Sequence, residues 1–363
     1  MADRAGPPGV VIHHIAAKTG KYVGCPSIAV MPDGSYRASH SHFGPGARNT
    51  DSFIYRSDDR GTTWCGIAEV HGQIWSNLFL HREVLYMMGT DHCDRYGGRL
   101  NGRVVIRRSV DGGETWTEPT DASSGFLADE DGYHTAPVPV VVHEGRIWRA
   151  MEFAPEPDRL TWMALVMSAP EDADLLIRDN WTFSERCQHL WSESQWIEGN
   201  VVVDRGGNVV NVLRSNYRGN DTRAESDMKD RAAVLHVSRD GSTLSHDREE
   251  DLIDMPGGGV KFTIRYDETS DRYWTLSNKQ RDPDARRNRL FLVSSPDLRA
   301  WQVERELLAH PDQEKHAFQY VDWVFDGEDI IYVSRTAFDD GEGGAHTFHD
   351  ANYLTFHRAE GFR

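Results

Sequence analysis

An eight-residue turn occurs twice in the chain, and its spacing decides what the rest can become. Ser57-Asp58-Asp59-Arg60-Gly61-Thr62-Thr63-Trp64 and Ser109-Val110-Asp111-Gly112-Gly113-Glu114-Thr115-Trp116 both follow Ser-x-Asp-x-Gly-x-Thr-Trp. In such a turn the carboxylate accepts bonds from turn amides, the glycine takes a backbone conformation other residues avoid, and the Trp caps the hairpin by packing. Ser238-Arg239-Asp240-Gly241 and residues 294–301 read as worn copies. Hairpins of another kind precede these turns: two apolar strands joined by an Asp/Gly-type turn. They pair residues 26–30 with 36–40, 137–142 with 146–152, 200–203 with 209–214, 261–266 with 273–278, and 320–325 with 330–335; one more runs from 77 to 90 through His81-Arg82-Glu83. Their starts recur about every 50 to 65 residues, the period of a four-stranded blade. The repeat predicts an all-β chain: one β-propeller domain over residues 1–363, with six blades by count. The sixth lacks an outermost strand, which residues 10–15 can supply, closing the ring.

Composition and charge narrow the partners. The chain has 11 Trp and 32 Gly in 363 residues and no long stretch of helical apolar spacing, as many short strands require. A net charge of −17 argues against nucleic acid and anionic membranes as partners. No apolar run approaches the ~20 residues of a membrane span. The first residues, Met1-Ala2-Asp3-Arg4, have no signal-sequence pattern, and Cys25, Cys65, Cys93 and Cys187 form no CxxC pair. The expectation is a cytoplasmic protein with reduced thiols. Oligomeric state is not readable.

Blade topology turns the repeat into a site. The innermost strand starts, and the second strand ends, on the same face; the eight-residue turns lie between third and fourth strands, on the opposite face, and so read as structural. The ring so selected comprises Ser27, His40, His42, Asn77, Asp91, His92, His134, Glu152, Glu198, Asn200, Arg214, Lys261, Asn278, Gln319, Tyr320 and Arg335. Several His, two Arg, a Lys and a Tyr suit acid/base chemistry on an anionic substrate. Trp75, Trp196 and Trp323 near the mouth offer faces for sugar stacking. His346, His349 and Asp350, with His13-His14, have metal-ligand types at plausible spacing for a structural Ca²⁺ or Zn²⁺; no cofactor is required by the reading.

Several segments resemble a carbohydrate-active propeller group. They include Cys25-Pro26-Ser27-Ile28, Asp33-Gly34-Ser35-Tyr36-Arg37-Ala38-Ser39-His40, Tyr133-His134-Thr135-Ala136-Pro137, Phe318-Gln319-Tyr320-Val321-Asp322-Trp323 and His349-Asp350-Ala351-Asn352-Tyr353. The group comprises ulvan lyases, L-rhamnose-α-1,4-D-glucuronate lyases and α-L-rhamnosidases, built on a sialidase-like scaffold whose eight-residue turns are called Asp-boxes. Its members are described as seven-bladed. The resemblance implies an enzyme acting on uronate-containing oligo- or polysaccharides and a His/Tyr/Arg catalytic set. In the lyase reading His134 is the base that removes the C5 proton, and Arg214 neutralises the uronate carboxylate, assisted by Lys261 or Arg335. Tyr320 then protonates the leaving oxygen or steadies the carboxylate. His92, Glu198, Asn200 and Gln319 complete the substrate contacts. In the α-L-rhamnosidase alternative His40 carries the reaction, and a third reading is a non-catalytic carbohydrate-binding propeller. True sialidases carry an early Arg where this chain has Cys25-Pro26-Ser27-Ile28, and no arginine triad assembles from the sequence, so sialidase activity is not expected.

Overall fold

A computed structural model describes residues 6–92, 102–154, 162–188, 194–217, 229–247, 249–282 and 285–363. Six small antiparallel sheets follow one another along the chain as six blades. Blade 1 runs outward from Ser27–Val30 through Tyr36–Phe43 and Asp51–Ser57 to Cys65–His71, and blade 2 holds Ile74–His81, Val84–Thr90 and Val104–Ser109. Blade 3 is built on Arg146–Phe153 and Met163–Pro170, blade 4 on Ser194–Val203, Val209–Tyr217 and Arg231–Val237. Blade 5 runs from Ile264–Asp267 through Arg272–Ser277 and Arg289–Ser295 to Gln302–Ala309. Blade 6 consists of Ala317–Asp326, Asp329–Ala337 and Tyr353–Ala359, and its outermost strand is Val10–His14, pairing Val10 with Phe356 and His14 with Tyr353. Six blades, not the seven that the resemblance implied, make the ring. No helix among the described residues is long and apolar enough to cross a membrane.

Alternation along each strand sends one set of side chains to each neighbouring blade, so the core divides into seams. Phe79, Met88 and Ile106 of blade 2 meet Ile147, Met151 and Leu165 of blade 3; Trp148, Ala150 and Val166 of blade 3 meet Val201, Leu213 and Leu235 of blade 4. The last seam packs Val23, Ile28 and Tyr36 of blade 1 on Ile331, Val333 and Phe356 of blade 6.

The repeated turns build themselves as their chemistry requires. Asp59 Oδ1 accepts from Ser57 Oγ at 2.9 Å and Thr63 N at 2.8 Å, Oδ2 from Thr63 Oγ1 at 2.6 Å, and Trp64 Nε1 donates to Gly61 O at 3.1 Å. Asp111 repeats the pattern with Ser109, Thr115 and Trp116. The worn copy in blade 5 sits one residue later than its spelling suggests: Asp297 binds Ser295 Oγ and the Ala300 amide, and Leu298 takes the positive φ of 65°. Gly61 has φ 93°, and an added Cβ would lie 2.1 Å from Phe356 Cε1 across the blade 1–blade 6 seam. Gly61→Ala is therefore expected to destabilise the fold by about 1–3 kcal/mol, measured by denaturant unfolding; an unchanged midpoint would show that the turn does not brace the seam.

Buried imidazoles set the acid limit of the fold. Burial lowers His357 to about 3, and burial, then the neighbouring His13 and Lys21, lower His42 to about 4. The unfolded chain binds these protons near pH 6.5 and the folded chain refuses them, so stability is full above that value and falls as pH drops. Moving from pH 7.5 to 5.0 is expected to cost about 2–4 kcal/mol. A melting temperature equal or higher at pH 5.0 would contradict this.

Candidate active site

The inner strands of blades 2, 4 and 6 carry the same irregularity. Pairing skips Trp75 and Ser76 between Ile74 and Asn77, Glu198 and Gly199 between Ile197 and Asn200, and Tyr320 and Val321 between Gln319 and Asp322. The first residue of each bulge has a positive φ: Trp75 54°, Glu198 57° and Tyr320 52°. A non-glycine residue held there costs of order 1–3 kcal/mol and persists where surrounding structure imposes it, which re-aims the side chain.

Around two of these bulges the charges gather. Arg214 Nη1 donates to Glu198 Oε2 at 2.9 Å, and its Nε donates to Gly259 O at 3.0 Å. Arg214 and Arg287 both interact with the Tyr320 side chain. Arg287 also donates to Gln319 Oε1 at 2.6 Å, and its guanidinium lies 5.2 Å from the centre of the Tyr320 ring. From the other side the Arg335 guanidinium lies 4.7 Å from that ring and 4.3 Å from the Phe43 ring. Three guanidiniums thus surround one tyrosine. Arg287 is not among the residues that strand position singles out.

Burial tunes the members in opposite senses. Burial alone would raise the Glu198 carboxyl, but the Arg214 guanidinium, with His134 and Arg287 beyond it, holds it below the usual range. Burial works against the Arg214 charge too, and Glu198 and Tyr320 reverse that and raise it. For Arg287 and Arg335 burial wins and their pKa values fall. Both are arginines at a cost in solvation, which an arriving anion would offset.

His134 stands on the far side of Glu198. Its Nδ1 lies 3.5 Å from Glu152 Oε2, and neither atom has a hydrogen-bond partner among the described residues. Glu152 Oε1 accepts from the Gly199 amide at 3.0 Å, a close approach that glycine permits, since a Cβ there would sit 2.4 Å from Asn211 Oδ1. The His134 ring packs 4.7 Å from Trp162. Imidazole, two carboxylates, three guanidiniums and a phenol therefore share one face.

The other sequence candidates are placed as follows. Lys261 is buried; its Nζ donates to Thr263 Oγ1 at 2.7 Å and Val321 O at 2.6 Å, and burial lowers its pKa. Asn200 bridges inner strands, donating to Phe262 O and accepting from Ile264 N. Ser27 and Asn278 are similar staples, to Asp322 and to Phe318 O. Gln319 accepts from Arg287 and donates to Phe348 O, and Arg335 donates to His349 O, so both hold the 346–350 loop against the site. Within that loop Asp350 is paired with His346 at 3.0 Å and His349 at 2.8 Å. His349, lowered to about 3 by burial and then Arg335, is an orienting group beside the arginine. His92 pairs with Asp91 at 2.8 Å, away from the Tyr320 cluster. His40 lies elsewhere: it faces the blade 1–blade 6 seam, with Nδ1 2.9 Å from Ser41 O and Nε2 3.1 Å from Tyr55 Oη. Trp196 and Trp323 are fully buried, and Trp323 Nε1 donates to Thr263 O at 2.8 Å; they pack blades and offer no stacking face. Cys65 and Cys187 are free thiols, Cys25 is buried, and Cys93 lies outside the described residues.

Fold and site together define a six-bladed propeller with three arginines gathered about Tyr320 on one face. No family model matches the chain, and no curated protein matches its sequence. Solved structures match its fold. A protein of unknown function from Dyadobacter fermentans superposes with TM-score 0.66 at 14% identity over 99% of this chain and 100% of its own. An α-L-arabinanase of Penicillium chrysogenum, solved with arabinobiose, gives 0.59 at 13% identity over 98% of both chains. A Trypanosoma rangeli sialidase, solved with sialic acid, gives 0.61 at 12% identity over 98% of this chain and 58% of that one. At these identities the likeness establishes the architecture, a six-bladed β-propeller.

Proposed function

We propose that the protein is a carbohydrate-active enzyme that acts on a carboxylate-bearing sugar, most simply a uronate within a glycan, by β-elimination. The observation that carries this reading is the convergence of Arg214, Arg287 and Arg335 on Tyr320, facing His134 and two buried carboxylates. Guanidiniums at a dry site bind a carboxylate and stabilise the enolate-like charge that develops when its neighbouring C–H is ionised. His134, beside Glu152, takes the C5 proton. The electron pair forms the C4–C5 double bond as the C4–O bond breaks, and Tyr320, set among the arginines, delivers its proton to the leaving oxygen. The products are an unsaturated uronate and a new hydroxyl end. A surface with net charge −17 disfavours a long polyanion and favours short or terminal substrates.

A second reading, glycoside hydrolysis of the same linkage, is supported by Glu152 and Glu198, two carboxyl groups buried on the site, and by the hydrolases among the fold neighbours. Incubation with rhamnosyl-glucuronate oligosaccharides separates the readings. Ultraviolet absorbance from an unsaturated uronate supports elimination; free rhamnose without absorbance supports hydrolysis. Binding with neither signal would leave a carbohydrate-binding propeller.

A further inference from the structure

The seam where the ring closes holds a second cluster of chemistry, apart from the pocket. His40 and His42 are two residues apart on blade 1's second strand, so both rings point to the face that meets blade 6. His13 comes from the opposite direction, on the outermost strand of blade 6, where a register irregularity between Val11 and His13 interrupts the pairing. The ring centroids of His13 lie 5.1 Å from His40 and 5.9 Å from His42, and those of His40 and His42 are 5.1 Å apart. One nitrogen from each ring lies within 4.8 Å of the other two.

We propose that His13, His40 and His42 form a transition-metal site of the zinc class that clasps the N-terminal strand to blade 1. Three features beyond proximity support it. His40 Nδ1 lies 2.9 Å from Ser41 O, so it is the protonated nitrogen, and Nε2, 3.1 Å from Tyr55 Oη, keeps a lone pair that a metal would take in place of the Tyr55 hydroxyl. A backbone carbonyl that fixes the tautomer in this way is the usual outer partner of a ligating imidazole. His42 Nε2 is buried and has no hydrogen-bond partner, a cost that ligation removes. Phe53 lies against both rings, at 5.4 Å from His40 and 4.1 Å from His42, and holds them side by side.

The donor set selects the ion. Three imidazoles with no carboxylate in the set suit Zn²⁺ and its neighbours and do not suit Ca²⁺ or Mg²⁺, which take oxygen ligands. Tyr55 Oη, 3.1 Å from His40 Nε2, or a water stands beside the fourth position. Zinc–nitrogen bonds of about 2.0–2.1 Å bring ligand nitrogens to roughly 3.4 Å from one another, so binding draws the rings inward by about an ångström. Because His13 belongs to the strand that closes the ring and the other two to the first blade, the ion would bind only the closed ring and stabilise it by mass action.

The test uses the whole protein, stripped with a chelator and titrated with Zn²⁺, and separately with Ca²⁺. The expected result is one Zn²⁺ per chain, a melting temperature that rises with Zn²⁺ and not with Ca²⁺, and affinity at least about tenfold weaker in His13→Ala and in His42→Ala. His346→Ala, at the loop beside the pocket, should bind Zn²⁺ as the parent does. Should either seam variant fail to fold, Co²⁺ bound to the parent reports instead: an intense visible band of a four-coordinate nitrogen site supports the proposal. Failure of the parent to bind Zn²⁺, a weak six-coordinate Co²⁺ spectrum, or binding lost only in His346→Ala would overturn it.

Discussion

Replacing Arg287 with methionine is expected to lower kcat/KM on a carboxylated glycan about 10²–10³-fold, the effect of deleting one preorganised charge donor from a dry site. Arg287 reaches the proposed reacting centre by two routes, with its guanidinium 5.2 Å from the Tyr320 ring centre and a 2.6 Å bond to Gln319. Methionine keeps the stem and loses the charge and the fork of donors. The same change removes a cation whose burial lowers its pKa, so the melting temperature should hold or rise. A merely structural Arg287 would give the opposite pair of results: a lower melting temperature and turnover within about threefold of the parent.

The second large effect falls on stability. Trp323 is fully buried, ties blade 6 to blade 5 through its indole N–H at Thr263 O, and meets Phe325 edge-on at 5.0 Å. Trp323→Ala should cost about 3–5 kcal/mol by denaturant unfolding, the price of a large cavity plus an unsatisfied carbonyl. A sugar-stacking Trp323 would behave differently, with weaker glycan binding and little change in unfolding.

The architecture was legible because its signals are local. A Ser-x-Asp-x-Gly-x-Thr-Trp turn closes on its own atoms, and hairpins such as Glu144-Gly145, with φ values of 47° and 72°, announce themselves in two residues. Strand order also selects one face from position, and on it the structure sets Arg214 and Arg335 beside Tyr320. Arg287 lies outside the positions that the ends of a blade's first two strands define. It lies just before Arg289–Ser295, the third strand of blade 5, whose start opens on the same face. The bulges at Glu198 and Tyr320 had no spelling in the sequence either: nothing local marks a glutamate or tyrosine for a positive φ, which long-range packing imposes. His40 shows the converse limit. Position on a strand assigns a face, but which neighbour covers that face depends on how the ring closes, and here Val10–His14 brings His13 against it.

Whether Arg214, Arg287 and Arg335 hold a sugar carboxylate is decided by comparing one glycan in two forms. A glucuronate-containing oligosaccharide and its carboxyl-reduced counterpart differ only in the group the three guanidiniums would hold. The acid form should be turned over, with a loss of at least about 10²-fold in kcat/KM for the reduced form. Equal turnover of the two, or turnover of the reduced form alone, would contradict it.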